Sequence, residues 1–516
     1  MSAGATTIRT DLGSDAKSMA RGASVNLLGI LAANVLGFVF TVTVTHLVDA
    51  RAVGLVALGS TIVGFAVIPS LLGLDTGIIR FVARAASLDD ERAARASLQA
   101  GLAVVCLISI ALTAAIWVLA PTISDHFFHK PGSTDILRIV ALSLPAMALG
   151  RAVMAAVQGY GVMRYSAWLG IVRRVIQIAA LIPLIVVGLD ARTLALAGVV
   201  SAWGSLRLAF DYLSSVHPNS LRPARGSWPW LSLLNFSAPQ VLTGLLFFAI
   251  LWTDTLLLGR YRTAAEVGVY SVLGTLLGPA VLVSTAVGQM FAPRIAAEDA
   301  RGDRRTLATM LKRVTHWNTA ISIPFFTALA VVPGALLSLF GHTYRSGAHA
   351  LAILAIGQLL NTAAGPLGQV LNMSGRQYLT MTNNGVVAGL NAVGCVFLIP
   401  RYGMTGAACS TSASLTIVNL IKLVEVQILF RMHPFRWQTL RLFGAAAVAA
   451  LLALPLAVFP HWPAGLLEAL VAGTLVFIAY LFVVLRVGMT DEDKELFALG
   501  RARLTRIGRL RSLPSG

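Results

Sequence analysis

Four arginines stand inside apolar stretches long enough to cross a membrane: Arg151, Arg173, Arg174 and Arg207. A guanidinium stays charged at any working pH and meets phosphate oxygens in a bidentate fork. Each such group near the bilayer centre costs about 2.5–3.5 kcal/mol on insertion scales, so its presence asks for a functional reason. Counted at ~1.5 Å per residue, the four fall at similar depth, in the half of their spans nearest the cytoplasm. Asp75 and Arg80 stand near the same end of the second span. Together they suit a cationic vestibule for a phosphate or pyrophosphate entering from the cytoplasm. Structural readings stand beside this one. Arg207 and Asp211, at i and i+4, can simply pair. Arg173 and Arg174 are adjacent and diverge by about 100° around a helix, so they cannot share a lumen.

Three more charges sit late in the chain or near an outer end. Asp254, six residues before Arg260, suits either the binding of a coupling Na⁺ or proton, or one half of an outer-gate ion pair. Lys422 and Glu425 echo Arg207 and Asp211 faintly, and an (i, i+3) pair also explains them. The asparagines within spans, such as Asn235, Asn361 and Asn391, read as bonds across helices. Cys106, Cys395 and Cys409 form no CxxC and read as small core residues. The sequence carries no Walker loop and no metal-ligand spacing, so no cofactor is expected.

The elements that must position these residues follow from composition. The 516 residues are 57% hydrophobic and only 12% charged, with mean hydropathy +0.78. Soluble chains are about a quarter charged. Runs of ~20 apolar residues match a ~30 Å hydrocarbon core, and about fourteen of them can be placed. An all-α polytopic membrane protein is expected. The net charge of +18 would suggest nucleic acid in a soluble chain, but no basic stretch has interleaved aromatics. Membrane topology explains it instead: 27 Lys and Arg fall on one set of loops and seven on the other. This asymmetry predicts both termini in the cytoplasm.

A shift of 214 residues aligns Val53-Gly54 with Val267-Gly268, Arg80 with Arg294, and Gly161 with Gly375. Six spans separate each pair, so the halves share one orientation about an axis along the membrane normal. The expected organisation is a cytoplasmic tail (1–23), a six-helix lobe (24–216), a cytoplasmic linker (217–228), a second six-helix lobe (229–429), two further helices (438–486) and a basic amphipathic tail (487–516). That tail suits an anionic leaflet. Prolines inside spans, among them Pro69, Pro145, Pro183 and Pro366, mark expected kinks.

Three segments carry a resemblance: "WTDTLLLGRYRTAAEVGVYSVLGTL" (252–276), "LFGHTYRSGAHALAILAIGQLLNTAAGPLGQVLNMSGRQ" (339–377) and "LIPRYGMTGAACSTSAS" (398–414). They resemble polysaccharide-biosynthesis and O-antigen-type flippases of the multidrug/oligosaccharidyl-lipid/polysaccharide exporter superfamily. The positions matching the family pattern are Asp75, Gly77, Arg80, Asp254, Gly268, Tyr270 and Gly375. Arg173, Arg174 and Arg207 match no motif and rest on charge and depth alone. The resemblance implies two V-shaped lobes around a central cavity. It also implies passage of an undecaprenyl-pyrophosphate-linked glycan from the cytoplasmic to the outer leaflet of a bacterial inner membrane. Export of O-antigen, capsule or exopolysaccharide would follow, with a polysaccharide polymerase or export complex as partner. Two transport readings compete, a multidrug or cation antiporter and a lipid II flippase. The antiporter would want an excess of buried carboxylates, and here the embedded excess is positive. A membrane glycan ligase would need a long outer loop, and the longest has about a dozen residues.

Overall fold

The computed structural model describes residues 29–130, 132–161, 165–220, 222–223, 230–458 and 466–483. The expected amphipathic tail and the start of the N-terminal lobe lie outside these residues. All regular structure among the described residues is helical. Among the described residues, eight helices are long and apolar enough to cross a membrane, and ten if each of two bent pairs counts as one span. The chain is thus a multi-pass membrane protein.

The helices in chain order are α1 (Gly29–Leu47), α2 (Ala50–Leu71), α3 (Leu74–Ser87), α4 (Glu91–Thr122), α5 (Ser133–Ala141), α6 (Leu144–Gly159), α7 (Tyr165–Val187), α8 (Ala191–Val216) and α9 (Trp230–Tyr261). They continue with α10 (Ala264–Ala300), α11 (Arg304–Val331), α12 (Pro333–Ser338), α13 (Ala348–Ala363), α14 (Leu367–Met373), α15 (Gln377–Phe430), α16 (Trp437–Val458) and α17 (Leu466–Val483). Two departures from the expected spans matter. The second span is broken into α2 and α3 by Leu72 and Gly73, both left-handed (φ 46° and 68°). Gly73 is required there, since a Cβ would overlap the Ser237 carbonyl. The eleventh and twelfth expected spans run together as the 54 residues of α15, with non-helical backbone at Gly403 (φ 57°, ψ −133°).

Short acidic side chains start several helices. Asp49, Asp90 and Asp303 each accept the amide three residues on at 2.9 Å, and Asp190 with Thr193 forms a capping box at α8. Each satisfies donors that the first helical turn leaves without partners. The capped amides hold the Asp190 carboxyl below its usual range.

The described chain packs into two compact units, each discontinuous in sequence. The first takes residues through Pro279, then Phe340–Ala350 and Met381–Ser414. Its largest core joins Val67, Ile78, Leu98, Val153 and Leu213, all under 4% exposed, from α2, α3, α4, α6 and α8. Also within it, α2 and α10 cross backbone to backbone. A Cβ on Gly54 would overlap the Ala264 carbonyl, and one on Gly268 would overlap the Ala50 carbonyl. The second unit takes Ala280–Leu339, Leu351–Thr380 and the residues from Leu415 on. There Leu307, Leu371, Val426 and Phe430 form one core, and Ile323, Leu442, Ala449 and Val476 another, between α11, α16 and α17.

Candidate functional site

The embedded arginines meet four different environments. Arg151, on α6, donates from Nη2 to Asp75 Oδ2 on α3 at 2.9 Å. Arg207 pairs with Asp211 at 3.2 Å on the exposed face of α8. Arg174 donates to Gln177 Oε1 at 2.9 Å and lies against Gly37 of α1, where a Cβ would come within 3.2 Å of its Nε. Arg173 differs from all three. It borders a cavity of about 280 Å³ within the first unit, walled by α1, α2, α5, α6, α7, α8 and α10. Among the described residues no carboxylate pairs with its guanidinium. Thr41, Ser60, Ser143, Gln177 and Ser271 add polar groups to an otherwise aliphatic wall. Arg173 is exposed at the edge of this cavity, and a guanidinium so placed can meet an anion brought to it.

The four arginines are therefore not equivalent. Arg207 takes the paired alternative open in the sequence. Arg151 takes a pairing with Asp75 that the sequence did not suggest, across 76 positions. Arg174 does not itself line the cavity that Arg173 borders, but its guanidinium bonds Gln177, which does. Arg80 is exposed on α3 and does not line this cavity. In the second unit, the opposing charge that faces Lys422 is Glu425, three residues along α15.

Asp254 is 6% exposed on α9. Its Oδ1 accepts the Thr255 amide at 2.7 Å. Its Oδ2 accepts the Tyr270 hydroxyl of α10 at 2.7 Å and the Thr411 hydroxyl of α15 at 3.2 Å. Thr411 also reaches Asn391 Oδ1 at 3.3 Å, which accepts the Ser410 hydroxyl at 3.0 Å. The gate-pair alternative is not what forms. Arg260 donates to the Phe127 carbonyl at 3.0 Å and stands over the Phe127 ring at 5.2 Å. Among the described residues the donors to Asp254 are neutral, so the carboxylate can hold a cation or a proton while keeping these bonds. The resemblance had singled out Tyr270, but Thr411 and Asn391 were missed as partners. Their signal was two polar residues on the two limbs of one apolar helix.

The model of the family described as polysaccharide biosynthesis protein matches residues 19–297, more than half of the chain. The chain belongs to that family. A second family model, MatE, matches residues 239–397. Among curated proteins, the probable low-salt glycan biosynthesis flippase Agl15 of Haloferax volcanii is 23% identical over 293 residues, 56% of this chain. That stretch spans 60% of Agl15, less than two thirds of its length. Among solved structures, the lipid II flippase MurJ in an inward closed conformation superposes with a TM-score of 0.71 at 12% identity, over 88% of this chain and 97% of MurJ. An inward-facing multidrug resistance MATE family transporter gives 0.65 at 12% identity, over 79% of this chain and 98% of its own. These likenesses establish that this polysaccharide biosynthesis protein has the fold of the exporter superfamily.

Proposed function

We propose that the protein is a flippase that moves a lipid-linked oligosaccharide across the membrane by alternating access between two six-helix lobes. In the full reading the cargo is undecaprenyl-pyrophosphate-linked glycan, carried from the cytoplasmic to the outer leaflet of a bacterial inner membrane for surface polysaccharide. Both termini face the cytoplasm, and a polymerase or export complex takes the product. The observation that carries this reading is Arg173, which borders a largely aliphatic cavity within the first unit and has no carboxylate partner among the described residues. A substrate with an anionic head and many hydroxyls supplies what that cavity lacks, and family membership supplies the glycan class. Arg174, whose hydrogen-bond partner Gln177 is neutral, adds positive charge to the same lobe, while Arg151 and Arg207 have their charge offset by Asp75 and Asp211.

The test uses a deletion strain, extracting polyprenol-linked intermediates and assigning each to a leaflet by accessibility to an impermeant enzyme. Full-length units trapped on the cytoplasmic side and released by the restored gene are the expected result. Their mass identifies both polyprenol and sugars. Accumulation on the outer side, or a normal distribution, would overturn the reading.

Asp254 is the coupling residue in this scheme. Asp254→Asn keeps an acceptor for Tyr270 and Thr411 but cannot carry a charge or take up a proton. The variant is expected to insert normally and to transport at a rate indifferent to an imposed Na⁺ or proton gradient. In reconstituted vesicles, a gradient response equal to that of the wild type would remove Asp254 from the coupling role.

A further inference from the structure

The second unit buries a run of polar side chains along one face of α11. Thr315, Asn318 and Ser322 are 0%, 4% and 1% exposed, and their three- and four-residue spacing keeps them on that face. Thr319, beside them, returns its hydroxyl to the Thr315 carbonyl at 2.7 Å, as hydroxyls in apolar helices commonly do. The other three do not. Thr315 Oγ1, Asn318 Oδ1 and Ser322 Oγ have no hydrogen-bond partner among the described residues. Oxygens left this way in an apolar interior are costly.

Two of these side chains approach a break in a helix. Asn318 donates to Ser284 Oγ of α10 at 2.8 Å and, more loosely, to the Thr362 carbonyl of α13 at 3.5 Å. What it leaves unused is therefore an acceptor. The Thr315 hydroxyl lies so close to Gly365 that a Cβ there would overlap it. Gly365 is left-handed (φ 79°) and with Pro366 divides α13 from α14, which bend by 43°. Pro366 has no N–H, so the Thr362 carbonyl loses its helical donor four residues on and accepts the Gly365 amide at 3.1 Å instead.

Hydroxyl, amide and main-chain oxygens thus gather from α10, α11 and a broken span. Hard cations choose such oxygens, and main-chain carbonyls at breaks in membrane helices are a recurring place for Na⁺. The set contains no carboxylate, which suits a single positive charge and not a divalent ion. We propose that Thr315, Asn318, Ser284 and the Thr362 carbonyl bind Na⁺, at a site that shares no residue with the Asp254 network and does not depend on the cargo. Ser322, one turn further along α11, extends the polar face away from that set.

The experiment measures thermal unfolding of the purified full-length protein in NaCl against choline chloride at equal ionic strength. Wild type is expected to show a Na⁺-specific rise in Tm, and Asp254→Asn, which removes any cation held by that carboxylate, is expected to retain a Na⁺-specific rise from the second unit. Thr315→Val, which keeps shape but removes the oxygen, is expected to need at least about tenfold more Na⁺ for half the effect. Thr315→Ser restores it, and Ser284→Ala gives a second loss at a partly exposed position where folding is least at risk. Complete loss of the rise in Asp254→Asn alone would overturn the assignment. So would a rise unchanged in Thr315→Val and Ser284→Ala, or no Na⁺-specific rise in the wild type.

Discussion

Replacing Arg173 by Gln is expected to lower export of the lipid-linked glycan by about 10- to 100-fold, the worth of one hydrogen bond to a charged group. The protein is expected to reach the membrane in normal amount, because the wild-type guanidinium has no carboxylate that the change would strand. Arg173→Lys keeps the charge and loses the planar fork, so it should recover only part of the activity. Arg207 provides the contrast. Its partner Asp211 is close and its side chain is 78% exposed, and such pairs contribute about 0–1 kcal/mol. Arg207→Gln should therefore cost less than about fivefold. Export measured in the deletion strain, with protein level read on the same samples, separates the two. Equal loss from both substitutions would mean that the whole positive face acts as a field and that Arg173 has no special place.

The second large effect is expected at Gly54 and Gly268. Each leaves room for the other helix's carbonyl, and the contact is reciprocal, with Ala264 and Ala50 as the opposing residues. A valine at either position must push α2 and α10 apart. Overpacking of this kind costs about 1–3 kcal/mol per site. Gly54→Val and Gly268→Val should each lower Tm, and the double variant should cost less than the sum, because the first separation already makes room for the second. Gly274, farther along α10, has open space around its missing Cβ, so Gly274→Ala should leave Tm nearly unchanged or slightly raised. A double-variant loss equal to the sum would show that the two glycines do not share one crossing.

These two sites were read from the sequence to different depths, for physical reasons. The cost of charge in hydrocarbon made Arg151, Arg173, Arg174 and Arg207 stand out without any structure. Their facing could not be read, because it depends on which side of α7 meets other helices. Local spacing predicted Arg207 with Asp211, whereas Arg151 with Asp75 joins two helices distant in sequence. Val53-Gly54 and Val267-Gly268 emerged as a matched pair from a constant offset. That they touch is a fact of packing. Hydropathy found the apolar stretches but not the break at Leu72 and Gly73, since both neighbours remain apolar. It also divided α15 at residues 400–403, where Pro400 interrupts the pattern, although helix continues on both sides of Gly403. Asp254 was found by its charge, while Thr411, its partner on α15, is an ordinary residue in a serine- and threonine-rich stretch.

The partners of Asp254 also set a timetable for synthesis. Thr255 is made at once and Tyr270 follows sixteen residues later, but Thr411 lies 157 residues further along the chain. At about 5–20 residues per second, the ribosome makes that last hydroxyl roughly eight to thirty seconds after it makes the carboxylate. During that interval α9 carries an acid whose cage is incomplete. The nascent helix must then wait as the protonated acid, or beside the insertion machinery, until the later limb of α15 arrives to close around it.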